Sequence, residues 1–239
     1  MAKGRPQVTH RALVLQVRNV GEGHRVVDAW LLGQGRIGLW ARNARSSRRR
    51  FAGALNPFTE LLVTVTPEEN LWRLEAVDVR VDRHGIRDSL GAIGRAATLC
   101  RVVQALWPSG QDADGVFEGL TVALDHLAAL RLPRAAGLYP RLAQWAGLMP
   151  SLTFCGQCQR SAQQLTAPSG RPYLICSACA PHEPPLAPEV RAALGGARIQ
   201  EEPVAARVEA IVTEWVSLFT GKKLTPWMAQ ALPTGGHSP

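Results

Sequence analysis

Four cysteines restrict this chain more than any other feature. Cys155 and Cys158 form one C-x2-C pair, and Cys176 and Cys179 form a second one seventeen residues later. Thiolate is a soft anionic ligand suited to zinc. A two-residue spacer lets one tight turn aim both sulfurs at a single ion. Two such turns fill a tetrahedron and leave no position for water or substrate, so the spacing predicts one structural Zn²⁺ rather than a Lewis-acid centre. Spacing alone leaves an iron site of the same S4 type open, and also two disulfides. The chain opens on no apolar secretory segment, so a reducing cytoplasm is expected, and disulfides are rare there. Cys100 lies on an apolar helical stripe and reads as a core thiol, not a redox group.

Size and charge narrow the function. The 239 residues suffice for one large or two small domains with a real core. The net charge of +8 suggests a polyanionic partner, and a basic soluble protein with no such partner has the same balance. Residues 1–83 carry 14 basic and 8 acidic side chains, and residues 84–239 carry 13 and 11, so the excess belongs to the first third. No apolar run approaches the length of a membrane span.

Hydrophobic periodicity divides the chain. RALVLQVR, RVVDAWLLG, GRIGLWAR, ELLVTVT and LWRLEAVDVR alternate at period two, with NVGEGH, GQG and PEEN as turns. Leu13, Leu15 and Val17 are expected to share one face. Five short strands in about seventy residues fit a small OB-type barrel, and SH3-like barrels fit the same count. From Gly85 the period becomes 3.6. Ile86 to Leu106, Phe117 to Leu130, Leu138 to Leu148 and Val204 to Phe219 mark four helices, the first stopping at Trp107-Pro108. The predicted fold is therefore α+β: a five-stranded OB-fold domain over 1–83, then a helical domain over 84–239 with a zinc-finger module inserted at 151–183. HEPPLAP after the module reads as a proline-rich connector.

ARNARSSRRRF, residues 41–51, carries Arg42, Arg45, Arg48, Arg49 and Arg50 with no acid. Arginine suits phosphate because its planar fork donates two parallel hydrogen bonds and keeps its charge. A solvated basic loop is the plainer reading, but five like charges repel one another unless an anion is bound. Lys3, Arg5, Arg11, Arg18, Arg25 and Arg36 extend the set of candidate DNA-binding residues. Trp30 and Trp40 fall on the outward face of their strands, where they either stack unpaired bases or pack against the helical part.

Catalytic patterns are missing. The six histidines form no H-x-E or H-E-x-x-H pair, and there is no G-x-x-x-x-G-K-[ST] loop, no G-x-G-x-x-G after a strand and no G-x-S-x-G elbow. No catalytic residue is assigned, and the chain is expected not to be an enzyme. An RNA-binding or translation-linked OB protein with a zinc ribbon has the same make-up and remains the alternative.

The stretch from Val14 to Leu61 resembles the opening of the DNA repair protein RecO family of bacterial recombination mediators. The likeness rests on Gly21-Glu22, Gly35, the arginines from Arg42 to Arg50, and Pro57-Phe58. LMPSLTFCGQC, residues 148–158, looks like that family's entry into its cysteine module. Two positions depart from the pattern: Val20 stands where an aromatic often precedes the G-E turn, and Gly33 where threonine is common. The resemblance implies an OB domain and a helical domain with a zinc finger. It also implies binding of single- and double-stranded DNA and annealing of complementary strands. Work with RecR to load RecA onto DNA coated by single-strand-binding protein, and a place in the cytoplasm beside the nucleoid, are implied in the same way.

Overall fold

A computed structural model describes residues 5–47, 50, 51 and 53–226. The chain runs through β1 (Val8–Val20), β2 (His24–Leu31), β3 (Gly35–Ala41), β4 (Glu60–Thr66) and β5 (Trp72–Val81). A 3-10 turn at His84–Asp88 leads into α1 (Leu90–Leu106), α2 (Val116–Ala128), α3 (Leu132–Ala135) and α4 (Leu138–Trp145). Short strands β6 (Leu165–Thr166) and β7 (Ile175–Cys176) follow, then α5 (Pro188–Leu194) and α6 (Glu202–Thr220).

The five strands close into a barrel in the order β1-β2-β3-β5-β4, with β1 antiparallel to both β2 and β4 and β3 parallel to β5. This is OB connectivity, and the parallel β3–β5 closure separates it from the SH3-like alternative. Ala12, Val14, Val27, Ala29, Leu31, Leu39, Val63 and Leu74 fill its interior. Leu13 and Leu15 do not; they belong to the core of the helical part. The pairing of β1 with β2 slips between Val14 and Gln16, so a bulge at Leu15 reverses the alternation and Val17 turns back toward the barrel. The expectation that Leu13, Leu15 and Val17 share one face is thus corrected. The bulge lets one strand serve two cores.

The helices form where the apolar stripe and the end signals agree. Ser89 caps α1 by accepting the Ala92 N–H, and the helix stops at Trp107 before Pro108. α6 begins with Pro203 in its first turn and ends at Gly221 in the left-handed region. Arg95 of α1 is buried between two carboxylates of α6, with Nε 2.9 Å from Glu209 and Nη2 2.6 Å from Glu202. Burial alone would depress this guanidinium, but the two carboxylates outweigh that and raise it further. Burial pushes the Cys100 thiol up to about 12, with Asp28 adding to it, so it stays protonated at neutral pH, in keeping with an inert core group.

Barrel and helices meet through a polar seam around a buried tryptophan. Trp30 is fully buried and stands edge-on to Trp107, with ring centroids 5.8 Å apart. Beside it, Arg36 binds both oxygens of Asp28 and donates to the carbonyls of Gln104 and Trp107 at 3.1 Å. Gly35 has φ +71°, and a Cβ there would lie 1.9 Å from the Gln111 carbonyl oxygen, so only glycine lets this turn touch the helical part. Arg83, also buried, binds Asp125 at 2.7 Å and the Phe58 carbonyl at 3.1 Å. Glu60 is held by Arg11 at 2.8 Å. Among the described residues no helix is long and apolar enough to cross a membrane.

Candidate metal centre and nucleic-acid interface

The cysteine module is built from two turns. In the first, Gln159 N–H closes onto the Cys155 carbonyl at 2.9 Å, while Gly156 N–H reaches the Leu174 carbonyl at 2.8 Å. Gly156 is required there, because a Cβ would fall 2.5 Å from the Tyr173 ring. In the second, the N–H groups of Cys179 and Ala180 both reach the Cys176 carbonyl at 3.0 Å. The β6–β7 pair sets Leu165 opposite Cys176 at the start of the second turn, and the Gly156 bond to the Leu174 carbonyl ties the first turn to it.

The four Sγ atoms all lie within 4.8 Å of one another, and Cys158 and Cys176 stand 3.8 Å apart. A tetrahedron with metal–sulfur bonds near 2.3 Å has sulfur–sulfur edges of about 3.8 Å. The residues therefore fit a tetrahedral ion and can hold one. Cys155 also accepts the N–H groups of Cys176 at 3.3 Å and Cys158 at 3.5 Å. Burial opposes its ionisation, but these donors and the Gln157 N–H prevail and bring the thiol down to about 6. Cys179 is pushed up to about 12, first by its hydrogen bond to Cys176 and then by burial. Cation binding would displace such shared protons.

The arginine segment folds over one pole of the barrel. Ala44, Phe51 and Leu55 turn inward and complete the barrel core. Arg42, Arg45 and Arg50 are left exposed at the rim. Arg45 N–H reaches the Gly23 carbonyl at 3.1 Å and its Nη1 reaches the Glu22 carbonyl at 2.9 Å, so the segment is pinned to the β1–β2 turn. Arg50 donates to the Arg42 carbonyl at 2.9 Å and lies over the Phe51 ring. Arg18 is exposed on β1 nearby, and Arg25 points into the rim toward the Leu55 carbonyl at 3.4 Å. Among the described residues Arg18, Arg25, Arg42, Arg45 and Arg50 have no carboxylate partner. Lys3, Arg48 and Arg49 lie outside the described residues.

Other members of the sequence-derived set sit elsewhere. Arg5 donates to the Pro67 carbonyl at 3.3 Å, away from the arginine segment in sequence and near the β4–β5 turn. Arg36 spends its guanidinium on Asp28 and two helical carbonyls, and Arg11 pairs with Glu60, so both belong to the seam. Of the two places expected for Trp30, base stacking and packing against the helical part, the structure shows the second: its outward face is the one the helices cover. Trp40, also outward, is half-buried and is not part of the helical core. Its neighbour His24 was passed over in the sequence because no histidine pairing motif includes it. Yet the imidazole stacks on Trp40 at 4.9 Å and accepts the Asn43 N–H at 3.1 Å.

These features define a class: an OB-barrel protein whose helical part carries a four-thiol module able to hold a metal ion. A family model described as recombination protein O N terminal matches residues 1–80, and one described as recombination protein O C terminal matches residues 87–211. A DNA repair protein RecO of Anaeromyxobacter sp. (strain K) is 35% identical over 204 residues, covering 81% of this chain and 79% of the relative. One of Pelobacter propionicus is 33% identical over 180 residues, 72% of each chain, and one of Geobacter sulfurreducens is 31% identical over 182 residues, 74% and 75% of the two chains. The chain belongs to the recombination protein O family.

Proposed function

We propose that this protein is a non-enzymatic mediator of recombination in DNA repair. It binds single- and double-stranded DNA and anneals complementary strands, and with RecR it loads RecA onto DNA coated by single-strand-binding protein. It works in the cytoplasm beside the nucleoid. The observation that carries the DNA contact is the rim of Arg18, Arg25, Arg42, Arg45 and Arg50 at one pole of the barrel, free of carboxylate partners among the described residues. Family membership supports the recombination role.

The mechanism is electrostatic. Two complementary strands repel each other through their phosphates. Guanidiniums that bind those phosphates remove part of the repulsion, and holding both strands on one protein raises their local concentration. The module on Cys155, Cys158, Cys176 and Cys179 holds one zinc ion that stabilises the helical part and takes no part in chemistry. The helical part offers the surface for protein partners.

A competition experiment tests the DNA reading. With a labelled single-stranded DNA bound, unlabelled single-stranded and duplex DNA should both displace it, and RNA of the same sequence should do so no better than DNA. Displacement by RNA at about tenfold lower concentration would move the protein to the RNA-binding alternative, since the ribose 2′-OH would then be part of the recognition.

A further inference from the structure

The barrel surface beside the arginine rim has its own pattern. Arg18 of β1 is directly opposite Val26 of β2, Val26 is opposite Trp40 of β3, and Trp40 is level with Arg73 of β5. Directly opposed residues point to the same side of a sheet. Arg18, Val26, Trp40 and Arg73 therefore form one outward row across four strands. Trp40 lies two inter-strand spacings, about 10 Å, from Arg18 and one spacing from Arg73. Arg73 is half-exposed and keeps one contact to Glu75 at 2.6 Å.

The indole in this row is braced. His24 stacks on it, and His24 is fixed in turn by the Asn43 N–H from the arginine segment. Trp40 also lines a shallow concavity with Arg5, Glu68, Glu69, Asn70 and Leu71. A stacked aromatic pair flanked by cations matches a nucleotide whose base stacks while its phosphates pair. Glu68 and Glu69 repel phosphate from the side of the β4–β5 turn, which directs the backbone toward Arg18 and the arginine rim. The rest of the β2–β3 outer face, around Trp30, is closed by the helices, so this is the end of that face at which a base can stack.

We infer that His24 and Trp40 are a stacking floor for an unpaired base of single-stranded nucleic acid, held between Arg18 and Arg73. The inference rests on the DNA reading above and adds a strand preference to it. In a duplex the base faces are already stacked on their neighbours, so the floor can serve only single strands.

The experiment compares Trp40→Ala and Trp40→Phe with the unaltered full-length protein. Each variant is first shown to keep the wild-type melting temperature. Affinity is read for a labelled oligothymidylate, for an oligomer of abasic sites of equal length, and for duplex DNA. Trp40→Ala should weaken oligothymidylate about 10-fold. Abasic and duplex affinities, and the salt dependence, should stay within twofold, because no phosphate contact is removed. Trp40→Phe should recover most of the loss. Equal losses on duplex and single strands, or full oligothymidylate affinity in folded Trp40→Ala, would overturn the stacking floor and leave the DNA reading intact. A wild-type protein that binds none of the three would overturn the DNA reading itself.

Discussion

Cys155→Ala is expected to lower the melting temperature by about 10 °C or more, with the loss centred on the helical part. A structural zinc contributes about 10–16 kcal/mol to the folding of small finger peptides, so losing one of four ligands removes several kcal/mol. In a chain of this size each kcal/mol shifts the midpoint by about 2–4 °C. The module is not an appendage. Cys155, Cys176, Leu165, Leu174 and Ile175 pack in the same core as Val190 of α5 and Trp215 of α6, and Ser169 donates to Glu214 of α6 at 2.7 Å. Damage at the metal should therefore spread to α5 and α6 before it reaches the barrel, whose interior is a separate cluster. Hydrogen exchange on the variant should show early loss of protection across 151–183 and α6, with β1 to β5 last. A strong chelator should produce the same order in the unaltered protein. A variant that melts with the wild type, together with no chelator effect, would show that no metal is held.

Binding to single-stranded DNA is expected to weaken about 10²-fold between 50 and 200 mM salt. Each neutralised phosphate contributes about 0.7 to the slope of log affinity against log salt on single strands, and four to six contacts give a slope of roughly 3–4. Arg42→Ala, Arg45→Ala and Arg50→Ala combined should lower that slope by about 2 and cost about 10²-fold at low salt. The fold should survive. The variant loses the side-chain contacts of Arg45 to Glu22 and of Arg50 to Arg42, but these side chains are exposed, and the Arg45 N–H bond to the Gly23 carbonyl and the buried Ala44 and Phe51 stay. Titration at four salt concentrations checks the prediction. An unchanged slope in the folded triple variant would place the phosphate contacts elsewhere, with the arginines around α3 and α4 next to be tried.

The residues differ in how plainly they announce their place. The cysteines do so because two short spacers leave thiols few geometries, and the structure brings all four sulfurs together. The five strands and four main helices follow from periodicity alone. The bulge at Leu15 does not, because a slipped register leaves no mark in a run of apolar residues. Trp30 was legible only as a choice between two places: a strand pattern tells outward from inward but not what covers the outer face. Asp28 and Arg36 lie eight residues apart and read as ordinary turn-flanking charges until β2 and β3 pair and a helix end arrives above them. The proline-rich connector hid α5, which starts at Pro188, because proline at a first helical position favours the helix it would interrupt elsewhere. His24 gains its role only when the arginine segment folds back over the β1–β2 turn.

Strand annealing without nucleotide tests the central claim most directly. Two complementary dye-labelled oligonucleotides are mixed with increasing protein, with and without ATP, and pairing is followed by energy transfer. Binding free energy can bring two polyanions together but cannot drive repeated unwinding, so pairing should accelerate in proportion to protein. It should be indifferent to ATP, slow as salt screens the contacts, and be lost in the Arg42, Arg45 and Arg50 triple variant, with both strands recovered intact. Annealing that requires ATP hydrolysis, or strands cut or joined by an activity that follows the protein through its variants, would contradict a non-enzymatic mediator.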